Sequence, residues 1–175
     1  CRDMMLELNQ KAKAPLSILD IGGGFPGNYA LQSIDIMKFC QPIRDALASL
    51  PEDWHIYAEP GRYLIAPAVT CVTTIIGKSM RYGMPWYYLD DGVYGSFSGK
   101  IFDHAEYPLQ VLKEGETSPS VLAGPTCDSI DIIDEQIELP ELKIGDFIIG
   151  HQMGAYTAAT RTRFNLLKEA KFIIL

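Results

Sequence analysis

Three consecutive glycines close a short apolar run in Leu19-Asp20-Ile21-Gly22-Gly23-Gly24-Phe25-Pro26-Gly27, and this constrains the chain more than any other feature. Glycines lack Cβ atoms, so the backbone can turn tightly and bring its N–H groups close to an anion, as a phosphate cradle requires. A tight turn without a ligand is the plainer reading of the same residues. The flanking pattern extends the argument. Residues 2–12 read as the end of a helix, with Met5, Leu8 and Ala12 at helical spacing and Pro15 as the stop. Ser17 to Ile21 reads as a buried strand. Ile36, Cys40, Ile43, Leu47 and Leu50 recur at steps of four and three and predict a second helix, which Pro42 should kink. His55 to Ala58 reads as another strand. Strand, glycine loop, helix, strand is a βαβ unit, which predicts parallel pairing.

The texture changes near Ala66-Pro67. Val69 to Ile76 is rich in Val, Thr and Ile, and Trp86 to Leu89 precedes an Asp91-Gly92 turn signal. Val121 to Ala123, Phe147 to Ile149 and Phe172 to Leu175 are further short apolar runs, many of them separated by Gly or Pro. This predicts an α/β portion over residues 1–66 followed by a mostly antiparallel β domain over 67–175. There is no internal repeat and no low-complexity tract.

Composition narrows the function classes. A chain of 175 residues holds one moderate domain or pieces of two, and a hydrophobic content of 47% supports a core. No apolar run is long enough to span a membrane. A net charge of −7 and a pI near 4.9 argue against general nucleic-acid binding, which needs a basic footprint. Cys1, Cys40, Cys71 and Cys127 form no CxxC pair, and no His stands at metal-ligand spacing. Reduced thiols, no metal and a cytoplasmic location are the expectation. The chain has no initiator Met, and Cys1-Arg2-Asp3 has the character of a helix interior, so the sequence reads as part of a longer protein.

Three more segments carry chemistry. Glu59-Pro60-Gly61-Arg62 sets a carboxylate beside a guanidinium. Gly124-Pro125-Thr126-Cys127-Asp128 sets a thiol beside a carboxylate, and Met153-Gly154-Ala155-Tyr156 ends in a phenol. With the glycine loop they point to an enzyme built around a phosphorylated cofactor. Each has a plainer reading as well: a surface ion pair, a buried thiol, solvated loop acids, a core aromatic.

Leu19 to Gly27, Glu59 to Tyr63, Asp91 to Phe97, Phe102-Asp103-His104-Ala105, Gly124 to Asp128 and Met153 to Thr157 together resemble the motifs of ornithine decarboxylase and its relatives. These are the fold-type III pyridoxal-phosphate decarboxylases of basic amino acids, and the likeness runs over essentially the whole chain. It implies an α/β barrel followed by a C-terminal β domain, in a head-to-tail homodimer with shared active sites. Such a barrel takes about 250 residues. The chain would therefore carry only its last two strand positions, in residues 1–66, and most of the β domain, in 67–175. The family's cofactor-bearing lysine would lie in the missing N-terminal part of the barrel. Lys11, Lys13 and Lys38 stand away from the motifs, and the chain alone is expected to be inactive.

The resemblance also implies roles. Gly22, Gly23 and Gly24 would cradle the phosphate of pyridoxal phosphate, with Gly24 in direct contact. Glu59 would keep the pyridine nitrogen protonated, Pro60 and Gly61 complete its loop, and Arg62 and Tyr156 meet the phosphate. Cys127 would return a proton to Cα after CO₂ leaves, a step suited to a thiol of ordinary pKa about 8.5. Phe102, Asp103 and Asp128 would receive the substrate, the two carboxylates holding its distal ammonium from different subunits. Tyr94 and Phe164 match aromatic residues at the subunit junction, whereas His55, His104 and His151 share no spacing and read as structural or surface residues. The implied reaction converts ornithine to putrescine or lysine to cadaverine. A close alternative is diaminopimelate decarboxylase, which usually shows Cys-Glu-Ser where this chain has Cys127-Asp128-Ser129. A non-catalytic homologue of the antizyme-inhibitor kind and a β domain used only for contacts are alternatives of other classes.

Overall fold

The structure, a computed structural model, describes residues 2–29 and 34–175. Cys1, counted above among the scattered thiols, lies outside the described residues. Helix α1 (Arg2–Lys11) ends before Pro15. Strands β1 (Ile18–Asp20) and β2 (His55–Tyr57) pair in parallel with Leu19 opposite Ile56, and helix α2 (Ile36–Leu47) falls between them in sequence, as the βαβ pattern predicts. Asp35 caps α2, its carboxylate accepting from the N–H groups of Met37 at 3.0 Å and Lys38 at 3.1 Å. The helix continues through Pro42 as one element. The donor that proline lacks would have served Lys38, whose carbonyl sits on an exposed turn where water can take its place. No residue of α2 is buried, and β1 and β2 bury only Leu19.

Helix α3 (Gly61–Ile65) and a short 3-10 turn (Ala66–Ala68) lead into a six-stranded sheet. Its strands are β3 (Cys71–Arg81), β4 (Met84–Leu89), β5 (Leu109–Val111), β6 (Thr117–Ala123), β7 (Ile132–Pro140) and β8 (Phe147–Gly150). Their order across the sheet is β5-β8-β3-β4-β6-β7. The β3–β4 hairpin turns at Tyr82-Gly83 with φ of +51° and +79°, a two-residue loop whose twist matches the strands. Every neighbouring pair is antiparallel except β4 and β6, where Trp86 faces Val121 in parallel. The domain is mostly antiparallel as expected, in four of its five pairings, and the fifth makes it a mixed sheet. The long connection from β4 to β6, which holds helix α4 (Gly99–Phe102) and β5, makes that crossover possible.

Two further expectations need correction. Strand β6 starts well before Val121 and includes Pro119, which lies outside the stretch paired with β4, so its missing N–H costs no ladder bond there. The apolar run Phe172 to Leu175 is not a strand: it is irregular and exposed, and no strand lies beside it among the described residues. Apolar content alone does not make a strand without a partner edge.

The core lies on one side of the sheet, among Ile75, Tyr87, Leu89, Phe97, Leu122 and Ile148. Tyr87 keeps its hydroxyl satisfied by accepting from Leu142 N–H at 3.1 Å. The α/β portion meets the sheet through backbone: Gly154 N–H donates to Ala66 O at 2.9 Å, and a Cβ on Gly154 would lie 1.7 Å from Ile65 O. No helix among the described residues is long and apolar enough to cross a membrane.

Candidate active site

The site residues fall into two groups. The first gathers where β1 and β2 end. Gly22 N–H donates to Asp20 Oδ1 at 2.8 Å, and Glu59 N–H donates to Gly22 O at 2.9 Å. A Cβ on Gly23 would lie 2.9 Å from Glu59 O, so the two loops fit together only without a side chain there. Gly22 and Gly24 take φ of +73° and +85°, conformations natural to glycine, and the space where their Cβ atoms would stand is open. Pro60 precedes α3, whose first residues are Gly61 and Arg62.

Arg62 is the hub of this group. Its Nη2 meets Asp103 Oδ2 at 2.7 Å, and its guanidinium lies 5.1 Å from the ring centroid of Tyr156 and 5.8 Å from that of Tyr29. Burial works against the Arg62 charge, but the Asp103 bond and charge outweigh it and hold the guanidinium above its ordinary pKa. Burial likewise pushes the Tyr29 phenol up, with Arg62 opposing. The Tyr156 hydroxyl stands 3.6 Å from where a Gly61 Cβ would be. Ser98 ties these parts together: its buried hydroxyl hydrogen-bonds to the carbonyls of Tyr156 and Thr157 at 3.3 and 3.1 Å, just before the helix that ends at Phe102-Asp103. Phe102 itself is exposed. One donor is left over, since Arg62 Nε is buried and meets no acceptor. An orphaned guanidinium N–H over a phenol ring, on a side chain packed against Gly27 just beyond the glycine loop, is a donor set suited to a phosphate group.

The second group sits on the turn between β6 and β7. Cys127 is exposed there, with Asn165 Nδ2 donating to its Sγ at 3.7 Å. Tyr94 donates its hydroxyl to Asp128 Oδ2 at 2.5 Å, and Ile130 N–H donates to Asp128 Oδ1 at 3.1 Å. The Tyr94 bond holds the Asp128 carboxyl below the usual carboxylate range, and the same bond pushes the Tyr94 phenol up to about 12. Phe164 lies against Tyr94, ring centroids 4.4 Å apart. Behind this turn Asp131 is buried, accepting from Val93 N–H at 2.8 Å, Thr126 N–H at 3.0 Å and Thr126 Oγ1 at 2.7 Å.

No hydrogen bond, ion pair or ring contact joins the two groups among the described residues. Asp103 and Asp128, the two carboxylates implied for one ammonium, thus stand in different groups of a single chain. An open hollow of about 900 Å³ lies beside them and takes in Tyr29, Tyr107 and Ile130 but neither Arg62 nor Cys127. His151 bonds to Gln110 at 2.8 Å, Lys11 pairs with Glu7 at 2.6 Å, and no group of His, Cys, Asp or Glu among the described residues could hold a metal ion. Sequence reasoning missed Tyr29, Ser98, Asp131 and Asn165. Asp131 left a trace, an acid three residues beyond Asp128 at the start of an apolar run; the others are polar residues whose partners are distant in sequence.

Comparison with known proteins decides the family. Residues 29–154 match the family model described as "Pyridoxal-dependent decarboxylase, C-terminal sheet domain". The chain belongs to the pyridoxal-dependent decarboxylases. It is 44% identical over 151 residues to a lysine/ornithine decarboxylase of Selenomonas ruminantium, covering 86% of this chain and 38% of that protein. It is 36% identical over 181 residues to antizyme inhibitor 2 of Xenopus laevis, covering 93% of this chain and 40% of that protein. The crystal structure of a lysine/ornithine decarboxylase from Vibrio vulnificus, complexed with cadaverine, superposes with a TM-score of 0.93 at 56% identity. That match covers 100% of this chain and 48% of the other. This decarboxylase-family chain therefore spans less than half the length of the relatives it matches.

Proposed function

We propose that the full-length protein containing this chain is a pyridoxal-phosphate-dependent decarboxylase of ornithine, lysine or both, yielding putrescine or cadaverine for polyamine synthesis in the cytoplasm. The observation that carries the reading is Arg62: a charged guanidinium with a buried, unpartnered Nε, packed against Gly27 just after the Gly22–Gly24 loop and lying over the Tyr156 ring. When bound, pyridoxal phosphate supplies the electron sink that decarboxylation at Cα requires. In this reading Gly22, Gly23, Gly24, Gly61, Arg62 and Tyr156 would hold the phosphate, while Glu59, tied just beyond β2 by its N–H bond to Gly22 O and followed by Pro60, would hold a proton at the pyridine nitrogen. Asp103 and Asp128 bind the distal ammonium, with Phe102 lining its approach. Cys127 Sγ delivers the proton that Cα takes up once CO₂ has left.

The separation of Asp103 from Asp128 within one chain supports a homodimer in which each subunit lends one carboxylate to a shared site. Residues 1–66 then complete a barrel begun by the rest of the protein, which also supplies the cofactor-bearing lysine, and residues 67–175 form the second domain. A second reading draws on the identity to the Xenopus antizyme inhibitor: a non-catalytic regulator of the same fold. One experiment separates the two. Full-length protein with pyridoxal phosphate is given lysine or ornithine, and CO₂, diamine and the visible cofactor band are followed. The proposal expects release of CO₂ with at least one of them; a folded dimer that shows no cofactor band and no CO₂ supports the regulator instead.

A further inference from the structure

The Asp131 carboxylate has no part in the roles above, yet the site turns close on it. It is 2% exposed, and no described Lys, Arg or His forms an ion pair with it. Its three hydrogen bonds come from two separate segments, Val93 on one side and Thr126 on the other. Both segments carry a glycine at the closest approach. A Cβ on Gly92 would lie 2.2 Å from Asp131 Oδ1, and one on Gly124 would lie 2.1 Å from it. The backbone of Asp131 adds two more ties, accepting from Gly124 N–H at 2.8 Å and donating to Asp128 O at 3.1 Å.

Removing a carboxylate from water is unfavourable unless charge-assisted bonds compensate; here the Val93 bond crosses to the Gly92–Tyr94 turn, and the two Thr126 bonds brace the β6–β7 turn that Asp131 itself closes. One turn ends in Tyr94. The other carries Cys127 and Asp128. We infer that Asp131 is a positioning residue that locks the Gly92–Tyr94 turn to the Gly124–Asp128 turn, so that Tyr94 reaches Asp128 and Cys127 is presented at a fixed place. This rests on the proposed roles of Cys127 and Asp128 in the decarboxylase.

The chemistry of the site predicts which substitutions matter. In Asp131→Asn the side chain keeps its size, but its amide nitrogen must face either Val93 N–H or Thr126 N–H, so one turn loses its acceptor. Thr126→Val removes a single bond and keeps the charge, while Thr126→Ser restores that bond. The test uses the full-length holoenzyme. It follows the alkylation rate of Cys127 by iodoacetamide through peptide mass, KM for lysine and ornithine, and pyridoxal-phosphate affinity. Asp131→Asn should change the Cys127 rate at least five-fold and raise KM at least ten-fold, with cofactor affinity within two-fold of the unaltered protein. Thr126→Val should move the same quantities two- to five-fold, and Thr126→Ser should return them. If Asp131→Asn does not fold, the Thr126 pair carries the test. The inference is overturned if the Cys127 rate stays within two-fold in these variants, or if KM, cofactor affinity and folded fraction decline together. Failure of the unaltered protein to decarboxylate either amino acid would instead sink the proposed function, and the alkylation rates would still decide the role of Asp131.

Discussion

Helix α2 and strand β4 both carry apolar residues at the spacing their secondary structure demands, and only β4 buries them. Tyr87 and Leu89 are sealed in the sheet core, while Ile36, Cys40, Ile43 and Leu47 line a face of α2 on which nothing is buried. The same contrast holds between the parallel pair β1–β2 and the six-stranded sheet. A periodic stripe therefore identifies a face that must be covered but says nothing of what covers it. In the proposed full-length protein, further barrel would do so for α2. The first group of site residues straddles the two regions, with Gly22–Gly24 and Glu59–Arg62 from the one and Asp103 and Tyr156 from the other, whereas the second grows wholly from the region of the sheet.

The largest effects should track burial. Phe97→Ala, at a fully buried position, should cost the 175-residue chain about 3–5 kcal/mol in urea unfolding, whereas Met37→Ala on α2 should stay within about 0.5 kcal/mol. A clearly larger loss for Met37→Ala in the full-length protein would mark the α2 face as covered there. Next in size is the seam between the regions. Gly154→Ala places a methyl where Ile65 O already stands, and the backbone shift it forces should cost about 1–3 kcal/mol and loosen Ala66 from the sheet. Unchanged amide protection at Gly154 in that variant would show that the regions are not joined there.

The smallest effect concerns one bond and its pH dependence. The Asp128 carboxyl is depressed by Tyr94, so the charged acceptor is present above the usual carboxylate range and is lost as pH falls through the lowered value. On the alkaline side the bond persists until the phenol titrates, near 12. In Tyr94→Phe the Asp128 carboxyl should titrate closer to the ordinary carboxylate value, measured by carboxyl-carbon NMR. An unchanged titration would mean that Tyr94 is not its principal partner.

Much of this contrast was legible in the sequence, for physical reasons. The glycine loop, the stripe from Ile36 and the runs at His55 and Val69 obey local rules of periodicity and turn chemistry, and the motif string was specific enough to name the family. What escaped was set by distant partners. Strand β7 is written as Ile132-Ile133-Asp134-Glu135-Gln136, an acidic edge strand that hides its pairing partner β6. The parallel pairing of β4 with β6 depends on a crossover no local pattern reports. Phe172 to Leu175 has the composition of a strand but no neighbouring edge. Asp131 left only the trace of an acid before an apolar run, because its partner Val93 lies 38 residues away and only folding brings it near.

One region of this chain has its own core and the other, among the described residues, does not. Amide hydrogen exchange of the 175-residue chain tests it most directly. Amides of β3, β4, β6 and β7 should exchange slowest, with those of β1, β2 and α2 about a hundred-fold faster or more. Equal protection across both regions would contradict the account.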